Sequence, residues 1–336
     1  MQGALKLTDE EFFTAPLKTR KATLDPLLGA GVEALIADAP RKVSIDVRDT
    51  LPMVVVRAGS FGAVASAPVS RAGIVVATDL ETGQVRAEMA VQPPEKSVQP
   101  DEPREAPEGA MAGETKVVDL RKRLDLPWRP SRYAVALILR EQISDPLEVL
   151  LDSSPGGYKD PEVEKHRKAA LGKAPLPAVH PAPDQTVRYR NVAGAPELSA
   201  AGLALSAPRV RKASEKGPLL LTGSFRVEVP AHLVVKKSEH TKALEAQLGE
   251  AGLPSALVPI TFVITGSKIP QPEIWHTVLP AWGAIDPKKP VAAGSFAIDL
   301  NAAANFSEPL QTLFVYAFCG AHRFGPLPIA IVDEEQ

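Results

Sequence analysis

One pattern occurs twice in this chain and restricts its fold more than any other feature. Residues 133–152 (YAVALILREQISDPLEVLLD) and residues 314–333 (FVYAFCGAHRFGPLPIAIVD) share the same plan. Each has an apolar run, a polar turn that leads to Pro-Leu, and a second apolar run that ends on Asp. Two apolar runs joined by a short turn are typical of a β-hairpin. The repetition predicts two β-rich domains in series, each ending with such a hairpin.

The two copies differ in length by one residue. Pro146 precedes Asp152 by six positions, whereas Pro326 precedes Asp333 by seven. Because side chains alternate between the faces of a strand, this difference turns the faces over unless a β-bulge absorbs it. The pattern therefore indicates two similar domain endings rather than a strict repeat.

Alternation with a period of two also occurs outside the hairpins. Val43, Ile45 and Val47 alternate with polar residues, and segment 225–229 does the same. This period is typical of half-buried strands. The chain also contains 33 prolines, which disfavour long helices and suit short strands joined by stiff loops. The predicted fold class is therefore mainly β.

In the N-terminal half of the chain, only residues 1–41 are expected to be helical. Thr8 and Glu11 have the spacing of a capping box, which predicts a helix start. Pro26 is expected at the first position of a second helix, whose apolar face extends to Ile36.

The chain is expected to divide into four segments. They are a helical N-terminal segment (1–41), a β-sandwich domain (42–152) with a disordered, acidic, proline-rich loop at 92–115, a proline-rich linker or wrapping segment (153–217), and a C-terminal β-sandwich domain (218–336) with an inserted helix near 238–252.

Tyr133 enters the penultimate strand of the first domain just after the corner Pro127-Trp128-Arg129-Pro130. This arrangement resembles the tyrosine corner of immunoglobulin-like and fibronectin-type sandwiches. The resemblance implies two antiparallel, immunoglobulin-like β-sandwich domains in tandem. It implies a topology only and carries over no functional residue.

Composition argues against several classes of function. The formal net charge of −2 gives no overall attraction to nucleic acid or to anionic membranes, so neither is expected as a partner. The single cysteine, Cys319, rules out an intramolecular disulfide and is typical of a reducing compartment. Without a signal-like start or an apolar stretch of membrane length, the protein is expected to be cytoplasmic.

Cys319 and His322 are the first candidates for a nucleophile and its base, because a reactive thiolate needs an adjacent imidazole. However, Cys319 follows Val315 and Ala317 with a period of two, which favours a buried strand cysteine. The six histidines lack the paired spacings of metal sites. No metal and no cofactor are therefore expected, and the catalytic residues of any enzymatic activity are unknown.

Trp275, His276 and Trp282 are the candidate ligand-binding residues. Two indoles seven residues apart are conspicuous in a chain with only 5% aromatic residues. Exposed indoles can stack on a sugar ring or anchor a partner protein. The alternative interpretation, which the sequence favours, is that both indoles close the end of a sandwich core.

The leading functional hypothesis is a non-enzymatic β-sandwich scaffold, assembly subunit or accessory protein. It would act through contacts with another protein or through self-association, because the edge strands of sandwiches can pair with other chains. One alternative is a ligand-binding module, with carbohydrate as a possible ligand, that uses Trp275 and Trp282. A second alternative is a hydrolase or transferase whose active-site residues are dispersed along the sequence.

Overall fold

The structure is a computed structural model of the chain. It describes residues 5, 7–14, 17–91, 107, 109–153, 161–172, 187–189, 192–215, 217–237, 241–248, 252–266, 269, 272–286, 288–303 and 311–333. The fold is mainly β, as predicted. The chain divides into two compact units, Met1–Ala77 with Arg86–Lys159, and Thr78–Val85 with Asp160–Gln336.

The elements up to Asp152 are mostly strands. The helices are α1 (Asp9–Thr14), α2 (Leu17–Gly29), α3 (Phe61–Ser66), α4 (Val69–Ala72) and α5 (Leu120–Leu124). The strands are β1 (Ala34–Asp38), β2 (Lys42–Ser44), β3 (Pro52–Ser60), β4 (Gly73–Asp79), β5 (Val85–Met89), β6 (Met111–Asp119), β7 (Ser131–Leu139), β8 (Gln142–Ile143) and β9 (Leu147–Asp152).

From Pro161 onward the pattern is similar. The helices are α6 (Pro161–Gly172), α7 (Lys242–Leu248) and α8 (Leu300–Ala303), with a 3-10 turn at Ala231–Leu233. The strands are β10 (Val187–Tyr189), β11 (Gly202–Ser206), β12 (Val210–Lys212), β13 (Leu220–Glu228), β14 (Ala256–Gly266), β15 (Glu273–Ala281), β16 (Val291–Asp299), β17 (Gln311–Cys319) and β18 (His322–Val332).

The first unit is built on two sheets with a shared core. One sheet has the strand order β1-β3-β6, and the other has the order β2-β9-β7-β4-β5. Buried side chains from both sheets, among them Met53, Val55, Tyr133 and Leu137, form one continuous cluster. This arrangement buries the apolar half of each alternating strand, as the sequence pattern requires.

The N-terminal helices add a third layer to this unit. Phe12 of α1 and Leu24 of α2 pack against Val54 and Val56, which lie on the face of β3 opposite the main core. Leu24 also lies against the backbone of Gly113, where a Cβ would be 2.5 Å from Leu24 Cδ1. Docking against the sheet therefore supplies the apolar contacts that these short helices need.

The predicted start of α1 is confirmed in atomic detail. The Thr8 N–H donates to Glu11 Oε2 at 2.8 Å, and the Glu11 N–H donates to Thr8 Oγ1 at 3.4 Å, which completes a capping box. The hydrogen bonds from the Thr8 backbone and hydroxyl lower the pKa of the Glu11 carboxyl.

The prediction for the second helix is wrong at both ends. Pro26 lies inside α2 rather than at its first position. The helix ends at Gly29 because Gly31, with φ of 66°, and Val32 donate their N–H groups to the carbonyls of Leu28 and Leu27. This is the Schellman arrangement that closes many helices. Ala34–Asp38, expected to be helical, instead pairs antiparallel with β3 as β1.

The second unit is likewise built on two sheets around one core. The sheets have the orders β10-β16-β13-β11 and β12-β18-β17-β14-β15. Phe225, Phe262, Phe296 and Cys319 belong to the buried cluster that both sheets supply.

The segment boundaries differ from the expected ones. The segment 153–217, expected to be a linker or wrapping segment, contains α6 and three strands. Two of these strands, β11 and β12, pair with β13 and β18 respectively.

The loop expected at 92–115 gives way to β6 at Met111, and residues 92–106 lie outside the described residues. The helix expected near 238–252 is α7, and its expected cap, Ser238, also lies outside the described residues. Short strands without strong alternation acquire their structure from the sheets that they join, and no local pattern reveals this.

Both predicted hairpins are present, and each has the same neighbour. β7 pairs antiparallel with β9, and β17 pairs antiparallel with β18. The second strand of each hairpin also pairs with a short parallel strand. β2 pairs with β9, and β12 pairs with β18. In the second hairpin the register shifts by one residue between Val315 and Ala317, which is an irregularity of the β-bulge type.

Candidate functional site

The floor of the candidate site is the outer face of strands β13 and β16. Phe225 and Phe296 point into the core, and each ring packs over a glycine on the opposite strand. The residues between them must point outward, because side chains alternate along a strand. Ser224 therefore lies beside Ser295, and Arg226 beside Ala293, on the outer face.

One wall of the site follows the end of β15. Trp282 is half-buried, and its Nε1–H donates to the carbonyl of Gly252 at 3.3 Å. Gly283 adopts φ of 117°, a conformation that glycine tolerates and other residues rarely adopt. The Ser255 hydroxyl donates to the Gly283 carbonyl, so the turn that carries Trp282 is fixed on both sides.

The opposite wall is the segment between β10 and β11. The Val192 N–H donates to Ser295 Oγ at 3.1 Å, which ties this segment to the floor. Glu197 projects from the same wall. Together the floor and walls line an open cavity of about 790 Å³ in the second unit.

A second cavity of about 390 Å³ continues from the first. The two share four lining residues, namely Arg226, Trp282, Gly283 and Ala293, so they form one groove that passes the indole. We call this the Trp282 groove. Asp286 and Lys289 line its second part.

The polar groups of the Trp282 groove are available to a ligand. Within the part of the chain that the structure describes, the side chains of Ser224, Arg226 and Glu197 make no hydrogen bond or ion pair. Glu197 and Arg226 provide one charge of each sign. The groove therefore offers unpaired donors and acceptors beside an aromatic ring, without a dominant charge.

The structure separates the two tryptophans that the sequence suggested. Trp275 points into the core of the second unit and packs against Phe262, with ring centroids 5.9 Å apart. Trp282 lines the groove and shares no described cavity with Trp275. Trp275 lies within β15, whereas Trp282 lies just beyond its end in the turn with Gly283, so the two indoles are directed differently.

His276 lines neither part of the Trp282 groove. Its Nδ1 lies 2.8 Å from Thr261 Oγ1 on the neighbouring strand β14. Desolvation lowers the pKa of this imidazole below its ordinary value.

Cys319 belongs to the core. It is buried among the apolar side chains of the second unit, and burial raises the pKa of its thiol to about 12. His322 faces it in the register of the β17–β18 hairpin. A thiol with so high a pKa is a poor nucleophile at neutral pH, which agrees with the buried-cysteine interpretation.

Sequence reasoning missed Ser224, Arg226, Ser295 and Glu197. The alternation of β13 was recognised, and it already implied that Ser224 and Arg226 point away from Phe225. The sequence did not reveal that β16 is the partner of β13, or that residues 192–198 cross the face they form.

Two further structural findings apply to the described residues only. No group of three or more His, Cys, Asp or Glu side chains there could hold a metal ion. None of the described helices has the length and apolar character needed to cross a membrane.

Comparisons with known proteins give little information. No family model matches the chain, and no curated protein is similar to it. Among solved structures, the chain is similar to one described as "Structural basis of neurohormone perception by the receptor tyrosine kinase Torso". The identity is 6% and the TM-score is 0.16, over 84% of this chain and 70% of the other.

Proposed function

We propose that the protein is a non-enzymatic assembly subunit made of two immunoglobulin-like sandwiches and that it acts through contacts between protein chains. The sandwich assignment is supported by the hairpin with a parallel neighbour that ends each unit. It is also supported by Tyr133, whose hydroxyl donates to the Pro127 carbonyl at 3.4 Å, as in a tyrosine corner. We further propose a cytoplasmic location, supported by a single cysteine that is not in a disulfide.

The observation that carries the proposal is the edge strand β15. It lies at the end of its sheet and, among the described strands, pairs only with β14. An unpaired edge presents backbone donors and acceptors that can add a strand from another chain.

The central part of β15, residues 274–279, lacks the usual features that prevent such pairing. Proteins protect edges with charged residues, prolines or bulges. From Ile274 to Leu279 this strand has no Lys, Arg, Asp, Glu or Pro, and its register with β14 is regular. The edge strand β6 is equally long but carries Glu114 and Lys116.

The partner proposed for β15 is the same strand of a second copy. Antiparallel self-pairing would place the two Glu273 carboxylates at opposite ends of the joined strands, so that like charges do not face each other. A two-fold axis through such a pair gives a closed dimer. Pro280 has no N–H, which confines the pairing to residues 274–279.

The oligomeric state tests this proposal. Sedimentation velocity over a wide concentration range should show a monomer–dimer equilibrium. Ile274→Lys places a cation on the edge of both copies and should yield a monomer with an unchanged circular dichroism spectrum.

Val117→Lys is the matched control, because it introduces the same charge at a 46% exposed position on the other nine-residue edge strand. This variant should still dimerise. A wild-type protein that stays monomeric at every concentration, or an Ile274→Lys variant that still dimerises, would refute the proposal.

A further inference from the structure

We propose that the Trp282 groove binds a neutral oligosaccharide. The proposal depends on the juxtaposition of one indole, a floor of small residues and several unpaired polar side chains in the second unit. It is independent of β15 self-association, because Trp282, Ser224 and Arg226 take no part in the β15 edge.

The indole provides a surface on which a sugar ring can stack. The N–H of Trp282 is engaged with Gly252, so the indole contributes its ring rather than its polar edge to the groove. An aromatic ring is a large, flat, apolar surface, and the C–H face of a pyranose is also flat and apolar. The turn at Gly283 and the hydrogen bond from the Trp282 N–H hold the indole in place before binding. Little side-chain entropy of Trp282 is therefore lost when a sugar binds.

The polar groups suit hydroxyls better than they suit an ion. A sugar hydroxyl both donates and accepts hydrogen bonds, so it can pair with a guanidinium, a carboxylate or a serine hydroxyl. Arg226, Glu197 and Ser224 offer these three groups around one cavity. Because Arg226 and Lys289 are balanced by Glu197 and Asp286, the groove does not favour a strongly charged ligand.

The size and shape of the groove favour more than one sugar unit. Ala293 is a small residue on this outer face, so a flat ring can approach the sheet closely. The volume of about 790 Å³ lies within the range of roughly 300–1,000 Å³ typical of small-molecule sites. The continuation past Trp282, of about 390 Å³, gives room for a chain that extends on both sides of the indole.

A peptide fits these features less well. Grooves that recognise proline-rich helices are lined by several aromatic side chains, whereas the only indole among the residues that line this groove is Trp282. Recognition by strand addition needs a sheet edge, and the floor here is the face of two paired strands.

The test is a titration of the full chain with soluble hexasaccharides of β-linked glucose, N-acetylglucosamine, xylose and mannose. Binding is followed by isothermal calorimetry and by tryptophan fluorescence. At least one sugar should bind saturably. Trp282→Ala should lower the affinity for that sugar by about tenfold or more. Arg226→Ala should weaken it as well, whereas Trp282→Phe should retain part of the affinity.

Trp275→Phe is the control, since it changes an indole of the core and should leave the affinity unchanged. Thermal unfolding of each variant establishes that it is folded. The proposal fails if no hexasaccharide binds, or if a sugar binds equally well to Trp282→Ala. It also fails if only a proline-rich peptide, tested in parallel, binds at Trp282, because the groove would then be a peptide site.

Discussion

Gly223→Ala should destabilise the second unit, because this glycine makes room for an aromatic ring. Gly223 and Phe296 face each other on β13 and β16. A Cβ on Gly223 would lie 2.3 Å from Phe296 Cζ and 2.8 Å from Leu205 Cδ2, whereas ordinary contacts lie at 3.4–4 Å. The ring would have to move by more than about 1 Å to restore a normal contact.

Phe296 has little space for that movement. It is fully buried and makes an edge-on contact with Phe262, with centroids 5.9 Å apart. Overpacking of this kind costs about 1–3 kcal/mol. Replacing Gly by Ala also lowers the conformational entropy of the unfolded chain, and this stabilising effect offsets about 0.4–1 kcal/mol of the overpacking cost. The expected net loss in the free energy of unfolding is therefore about 1–2 kcal/mol.

Urea unfolding followed by tryptophan fluorescence measures this loss, since Trp275 and Trp282 both belong to the second unit. Gly202→Ala on β11 is the matched control, because a Cβ there meets nothing within 4 Å. The control should be as stable as the wild type or slightly more so. If Gly223→Ala is also as stable as the wild type, the ring does not require the glycine and the packing argument is refuted.

Three other predictions concern buried or desolvated groups. Cys319 should resist iodoacetamide at neutral pH in the folded protein and react stoichiometrically in urea, because burial raises its pKa to about 12; rapid labelling of the folded state would contradict this. Asp38→Asn should cost about 1–3 kcal/mol and speed amide exchange in α1 and α2, since the buried carboxylate accepts the N–H groups of Leu5 and Ala39; unchanged exchange by mass spectrometry would count against it. The lowered pKa of His276 means that its contribution to stability is complete above the unfolded pKa of about 6.5 and is lost as the pH falls through the folded value. NMR should find a folded pKa below 6.5, and His276→Gln should weaken the acid sensitivity of unfolding; a normal pKa would refute the assignment.

Several features could be predicted because they depend on neighbours in the sequence. The period of two identified strands such as β13 and β16, and the capping box at Thr8 identified the start of α1. The spacing of Cys319 within an alternating strand indicated its burial. Such patterns act over a few residues, so the sequence displays them directly.

Other features could not be predicted, because local preference was ambiguous. Ala34–Asp38 has the apolar residues of a helix face, yet it is a strand because β3 offers it a ladder of hydrogen bonds. β11 and β12 are strands for the same reason. In short segments, pairing with an existing sheet outweighs intrinsic propensity.

By itself, the sequence indicated that the protein is mainly β, that two similar hairpins end its two halves, and that its only cysteine is buried. The tertiary structure alone decided where the candidate site lies. Ser224 and Ser295 become neighbours because β13 pairs with β16, and Trp282 reaches them through the turn that follows β15. Contacts between strands so distant in the sequence depend on how all the apolar faces are buried together, and no short pattern encodes that arrangement.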